Sequence, residues 1–328
     1  MTNISIIGSG SIATALGNIL SAKNNLNVIL LSIEDDVVDS INKSNINYKY
    51  FPNIKLNSNL KATTDNKILN SANVVFLAIP SSVTVDFILS LKNELNKNSI
   101  LVNLAKGFGN ENQTIVECLE DKIPNPVCSL KGPTFARELI NKSPTAFTLG
   151  ARNKNIFKLF SEIFKDTNIF IDFSTDVIGV EILSILKNIY AIAVGIVDAH
   201  FNSANLRFLF LTKAFNEMKD ILIEYGGRED TMFKYCGYGD FGLTALNDLS
   251  RNRTLGLLIG KGFFVEDISD KVTLEGKIAV NVFCNEISKT KALNGHYPIM
   301  SELYKVFNED YNVSNLLNKI LRVHNKIS

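Results

Sequence analysis

Residues 8–13 read Gly8-Ser9-Gly10-Ser11-Ile12-Ala13 and follow the β-branched run Asn3–Ile7 directly, ahead of a helical pattern over Ile12–Leu20. A strand that turns on glycines straight into a helix commits the start of the chain to a βαβ layout. Gly8 permits the tight turn, Gly10 lets the backbone approach a pyrophosphate, and the small Ala13 allows close helix–strand packing. The first-turn N–H groups and the helix dipole then face an anion, so the segment is read as a dinucleotide site, with a flexible turn as the alternative.

Short apolar runs separated by helical patterns continue at Asn27–Leu31, Asn73–Ile79, Ser99–Leu104, Pro126–Leu130, Ala146–Leu149 and Asn168–Asp172. Strands spaced by helices in this way predict a doubly wound α/β domain around a mostly parallel sheet. After about residue 177 long helical stretches take over, beginning Val180–Val197 and Leu206–Tyr225. An all-helical second domain is therefore expected, with residues 1–178 in the first domain and 179–328 in the second.

With 328 residues, 46% of them hydrophobic, the chain can bury a core of this size. Its 34 Lys plus Arg against 33 Asp plus Glu leave a net charge of +1, which offers nucleic acid no attracting field. Cys118, Cys128, Cys236 and Cys284 are widely spaced, and His200, His296 and His324 are scattered, so neither a disulfide framework nor a metal site is expected. The first residues lack the basic and apolar pattern of a signal peptide. Apolar runs such as Ile189–Val197 are far shorter than the roughly 20 residues that span a bilayer. A soluble, reduced, cytoplasmic protein without membrane insertion is the expectation.

The second strand ends in Ser32-Ile33-Glu34-Asp35-Asp36, about 20 residues past the glycine turn. A carboxylate there can accept hydrogen bonds from the adenosine ribose and would repel a 2′-phosphate, so NAD is preferred to NADP. The competing reading is that these acids only cap the helix over Val37–Asn42.

Four later segments carry groups suited to chemistry. In the nearly all-apolar stretch Glu181–Val197, Lys187 and Asn188 stand out, and no acid lies three or four residues from Lys187. Such a lysine should have a lowered pKa and suits proton exchange with a hydroxyl or carbonyl, unless it snorkels to the surface. In Gly239-Asp240-Phe241-Gly242-Leu243-Thr244, Asp240 and Thr244 share a helix face at i, i+4. Ser250 reads as an N-cap that places Arg251 and Asn252 in a first turn, where an arginine can grip a phosphate or carboxylate, or simply lie on the surface. Lys106-Gly107-Phe108 and Lys131-Gly132-Pro133-Thr134-Phe135-Ala136 each leave the carboxyl end of a strand, where ligands of open α/β sheets sit, although both are also common turn chemistry.

Together these segments resemble the bacterial-type NAD(P)-dependent glycerol-3-phosphate dehydrogenases. The shared pieces include Gly8–Ala13, Tyr50-Phe51-Pro52, Ala78-Ile79-Pro80-Ser81, Lys106-Gly107-Phe108, Gly132–Glu138, Leu186-Lys187-Asn188, Gly239–Thr244, Ser250–Arg253 and Glu275-Gly276, in family order over nearly the whole chain. The resemblance implies a Rossmann-like domain followed by a helical substrate domain, and hydride transfer between NAD(P)H and dihydroxyacetone phosphate for phospholipid synthesis. It implies Lys187 as general acid/base, with Lys106, Asp240, Asn188 and Thr244 completing the catalytic set. Substrate contacts would come from Lys106, Gly132, Thr134, Asp240, Ser250, Arg251 and Asn252. Cofactor contacts would come from Gly8, Ser9, Gly10, Ser11, Ile12, Ala13, Glu34, Pro80, Lys106, Ala136, Arg251 and Glu275.

The chain departs from that pattern in places. The usual Gly-Asp-Asn-x-Lys-Ala reads Ser203-Ala204-Asn205-Leu206-Arg207-Phe208, a serine before Gly-Pro is Lys131, and a glycine three before the lysine is Ser184. An arginine after the second strand is replaced by Ile33, in keeping with reduced NADP use. The first departure motivates an alternative with the same chemistry on another phosphorylated or carboxylated hydroxy compound. A non-catalytic NAD-binding sensor is the third reading, and it would not require Lys187, Asn188, Asp240 and Arg251 together. A small phosphorylated substrate and a homodimer are the expected partners.

Overall fold

The structure is a computed structural model and describes residues 1–201, 203–263, 270–289, 293–309 and 311–322. The chain divides into two compact units, Met1–Glu181 with Lys234–Cys236, and Ile182–Phe233 with Gly237–Ser328.

The first unit is built on eight strands, β1 (Thr2–Ile7), β2 (Leu26–Leu31), β3 (Lys61–Thr63), β4 (Val74–Leu77), β5 (Ile100–Asn103), β6 (Val127–Lys131), β7 (Thr145–Gly150) and β8 (Ile169–Ser174). Their order in the sheet is β3-β2-β1-β4-β5-β6-β7-β8. Every pairing is parallel except β6 with β7. Helices α1 (Ser11–Leu20), α2 (Asp35–Ser44), α3 (Ser81–Ser90), α4 (Ile115–Glu120), α5 (Ala136–Ile140) and α6 (Lys154–Phe164) cover the sheet.

Alternation along the strands builds two cores, one on each face. Ile4, Ile6, Leu30, Val74 and Phe76 pack with Leu16 of α1 and Phe160 of α6. Their neighbours Ile7, Leu31, Val75 and Leu77 point the other way, to Val85 and Ile88 of α3 and to Ile115 and Leu119 of α4. Because both faces are buried, the strands read as continuous apolar runs. The reversal of strand order at β1 and β4 opens the crevice where open α/β sheets bind ligands.

The second unit is helical. It comprises α7 (Val177–His200, which begins in the first unit), α8 (Ala204–Glu224), α9 (Asp240–Leu246), α10 (Arg251–Gly260), α11 (Asp270–Ser288), α12 (Leu293–His296), α13 (Pro298–Asn308) and α14 (Ser314–Arg322). Helix α7 has 24 residues and is long and apolar enough to cross a membrane, which corrects the length read from the shorter run Ile189–Val197. Its most apolar window is 89% buried, the mark of a core helix.

Helix α10 lies directly on α7, where Gly195 and Gly256 let the two backbones meet. At another joint, the buried Glu217 of α8 accepts hydrogen bonds from Ile299 N at 3.0 Å and Met300 N at 2.7 Å, in the first turn of α13, and from Tyr190 Oη at 2.8 Å. The side chain thereby satisfies N–H groups that a helix start leaves open. Burial, partly offset by these bonds, pushes its carboxyl up to about 7. None of the four cysteines is in a disulfide, and all four are buried.

Candidate active site

The sheet unit holds the residues that the sequence assigns to the nucleotide. Gly8 has φ +112°, and a Cβ there would lie 2.6 Å from the Ala78 carbonyl oxygen, so only glycine fits between β1 and β4. Gly10 is the N-cap of α1, makes no side-chain cap, and would meet nothing within 4 Å if it carried a Cβ. The α1 start is therefore open above Gly10, with half-buried Ser11 and Ile12 in its first turn and no acid to oppose an anion. Ala13 is fully buried and packs the helix onto the sheet. Ser9 plays a different part from its neighbours. Its hydroxyl pairs with that of Ser32 at 2.8 Å, and its carbonyl accepts from Asn47 Nδ2 at 2.8 Å, so its polar atoms brace the turn.

At the end of β2, Ile33 is 88% exposed. Glu34 occupies the N-cap position of α2 without making a cap hydrogen bond, which removes the capping alternative for that residue, whereas Asp35 and Asp36 do lie in the first turn. Lys49 Nζ donates to Glu34 Oε1 at 2.7 Å, while Glu34 Oε2 is buried with no hydrogen-bond partner among the described residues. An orphaned buried carboxylate oxygen needs a donor, and a ribose hydroxyl is the donor that the site would offer. The open cradle at Gly10 and this oxygen together fit a dinucleotide.

Pro80, at the N-cap of α3, stands beyond the carboxyl end of β4, and Lys106 stands beyond that of β5. A Cβ on Gly107 would come within 2.7 Å of Ser81 Cβ, so the loop lies against the start of α3. Gly132 follows β6, and a Cβ there would sit 2.8 Å from Phe147 Cα, a close approach that the antiparallel β7 imposes. Thr134 Oγ1 lies 3.1 Å from Thr145 Oγ1, and Ala136 opens α5.

The helical unit carries Lys187, the acid/base candidate. Lys187 Nζ donates to Asp240 Oδ1 and, at 2.8 Å, to Thr244 Oγ1. All three side chains are buried, with Asp240 only 1% exposed. The snorkelling alternative is thus removed. The counter-charge absent from the lysine's own helix comes from Asp240 of α9. Asn188 is half-buried one position further along α7 and takes no part in these bonds. Asp240 enters α9 after a π-helical turn over Tyr235–Gly239, where Gly237 leaves the helical region and a Cβ would lie 2.8 Å from Met232 Cα.

Ser250 caps α10 as the sequence predicts, its Oγ accepting from Arg253 N at 3.3 Å. The following arginines have separate fates. Arg253 is buried, bonded to Asp198 at 2.5 Å, Asp248 at 3.1 Å and the Ala245 carbonyl at 3.1 Å. Arg251 is exposed at the helix start, with no ion pair among the described residues, and half-buried Asn252 stands beside it. Asp198 also accepts from Arg207 Nε at 2.7 Å, so the departing segment Ser203–Phe208 is tied to α10 by a network that residue spacing gives no sign of. The side chain of Glu275, on α11, lies outside the described residues.

Residues 3–157 match the NAD-dependent glycerol-3-phosphate dehydrogenase N-terminus family, and residues 176–318 match the corresponding C-terminus family. The chain is 33% identical over 322 residues to a glycerol-3-phosphate dehydrogenase (NAD(P)+) of Halothermothrix orenii, covering 97% of this chain and 94% of the relative. It is 34% identical over 316 residues to one from Methanothermobacter thermautotrophicus, covering 95% of each. The crystal structure of glycerol-3-phosphate dehydrogenase from Coxiella burnetii superposes with a TM-score of 0.87 at 26% identity, covering 98% of both chains. One from Plasmodium falciparum gives a TM-score of 0.88 at 23% identity, covering 100% of this chain and 96% of that one, and so shares the fold. This chain belongs to the NAD-dependent glycerol-3-phosphate dehydrogenase family.

Proposed function

We propose that the chain catalyses reversible hydride transfer between NADH and dihydroxyacetone phosphate to give sn-glycerol 3-phosphate. The observation that carries this reading is the buried Lys187–Asp240–Thr244 trio, because an ammonium held by two fixed acceptors is a proton donor with a set direction. When bound, the nicotinamide supplies or accepts the hydride. Lys187 Nζ gives a proton to the carbonyl oxygen during reduction and takes the hydroxyl proton in reverse. Arg251, Asn252 and the first N–H groups of α10 hold the phosphate. Lys106 contacts both substrate and nicotinamide end, with Gly132 and Thr134 lining the site.

The cofactor preference is for NAD, supported by Glu34 and by the apolar Ile33. Reduced, buried cysteines support a cytoplasmic location, where the product would feed phospholipid synthesis. Exposed Phe208, Phe233 and Tyr238 on the helical unit support a homodimer.

The test is oxidation of NADH by dihydroxyacetone phosphate, run beside NADPH and beside a panel of phosphorylated and carboxylated carbonyl compounds. Turnover fastest with NADH and dihydroxyacetone phosphate is the expected result. A better substrate elsewhere in the panel would overturn the substrate assignment.

A further inference from the structure

We propose that Lys131 is a positioning residue for Lys106: its ammonium, neutralised inside the sheet by Glu181, clamps the chain immediately before the residue assigned to substrate and nicotinamide. The proposal rests on that assignment of Lys106. Lys131 ends β6 and is 0% exposed. Its Nζ lies 3.0 Å from Glu181 Oε1 and donates to the carbonyl oxygens of Asn103 at 3.0 Å and Ala105 at 2.6 Å. Three acceptors match the three N–H groups of an ammonium.

Glu181 is held just as fully. It accepts from Asn103 Nδ2 at 2.8 Å, from Ser129 Oγ at 2.5 Å and, at 3.4 Å, from Val116 N. The Asn103 side chain completes the bracket, its Oδ1 accepting from Ala105 N at 2.9 Å. Ala105 is therefore fixed through both its N–H and its carbonyl. On the other side of Lys106, Gly107 is packed against Ser81. Lys106 sits between two anchored neighbours, which limits how far its own backbone can move.

Stability alone is a weak reason for this arrangement, since well-packed apolar residues commonly replace a buried ion pair without loss. The ammonium instead reaches two carbonyls at the point where β5 ends and the chain turns away. A serine, which the family resemblance leads one to expect at 131, has a single hydroxyl proton and cannot serve both carbonyls.

The test uses the full-length enzyme as wild type, Lys106→Ala, Lys131→Met, Glu181→Gln and the double variant Lys131→Met/Glu181→Gln, each followed by thermal midpoint and by kcat and KM for both substrates. The double variant removes the charge imbalance and serves if Lys131→Met alone does not fold. It should recover most of the wild-type midpoint while KM remains raised about tenfold, the size expected for a displaced positioning group. In the Lys106→Ala background the same double change should have no further kinetic effect, since there is no longer a side chain to position. Wild-type KM values in the double variant, or an undiminished KM effect in the Lys106→Ala background, would overturn the proposal. Glu181→Gln alone, which keeps both carbonyl contacts, should raise KM less than the double variant; an equal rise would place the effect outside the carbonyl clamp. If Lys106→Ala is itself kinetically silent, the assignment of Lys106 fails and the proposal falls with it, a result distinct from the others.

Discussion

Gly195 of α7 and Gly256 of α10 meet backbone to backbone: a Cβ built on either would lie 3.0 Å from the other's Cα. Lys187 lies eight residues before this crossing on one helix, and Arg251 five residues before it on the other. The contact therefore sets the distance between Lys187 and the start of α10, which carries Arg251.

Gly256→Ala should force the helices apart. Overpacking of this kind costs about 1–3 kcal/mol, visible as a lower midpoint in urea. KM for dihydroxyacetone phosphate should rise while the KM for NADH changes little, because the start of α10, the proposed phosphate grip, moves and the turn between β1 and α1, the proposed cofactor cradle, does not.

Lys187→Ala should lower kcat by about 10²–10⁴-fold, the usual share of a general acid, while NADH binding followed by fluorescence is retained. Near-normal turnover would refute the assignment. Asp240→Asn keeps the shape but removes the charge that favours the ammonium. With the counter-ion gone the lysine loses one of its two fixed acceptors, so kcat should fall while NADH binding is retained, and an unchanged kcat would count against the pairing.

Glu34→Ala removes the carboxylate at the end of β2 and leaves Lys49 without its partner there. The ratio of kcat/KM for NADPH over NADH should rise by about tenfold or more, since a repelling charge is replaced by an available cation. Steady-state kinetics with both cofactors decides it.

Glu217 makes stability pH-dependent. Its carboxyl is raised by burial from 4.5 to about 7, so the folded protein binds a proton that the unfolded chain has released. Stability from this group is therefore full at low pH and is lost as pH rises from about 4.5 through 7, by an amount on the order of 3 kcal/mol. Denaturation midpoints between pH 5 and 8 should show this decline in the wild type and lack it in Glu217→Gln.

Most of the sheet was legible because its strands are buried on both faces and announce themselves as apolar runs. Strand β3 was not, since Lys61–Thr63 is a three-residue edge with one buried side chain. Asp240 and Thr244 were legible as a pair because they share one helix face. Their partnership with Lys187 spans more than 50 residues and depends on the packing of α9 against α7, which local spacing does not encode. The two arginines of α10 look alike in sequence, but Arg253 is buried against Asp198, Asp248 and the Ala245 carbonyl, whereas Arg251 stands in the open. Lys131 was visible as the start of a segment leaving a strand and as a departure from the family, but not as a buried residue of the strand itself. A charged residue closing an apolar strand, matched by a lone glutamate opening an apolar helix, is the signal that could have joined it to Glu181.

The buried cysteines make the protein its own reporter of opening. Burial pushes the thiols of Cys128 and Cys284 up to about 12, so almost no thiolate exists at neutral pH for an alkylating reagent or peroxide to attack. Labelling must wait until the surrounding structure comes apart. Cys128 lies in the sheet unit and Cys284 in the helical unit, so the two labelling rates time the unfolding of each half separately.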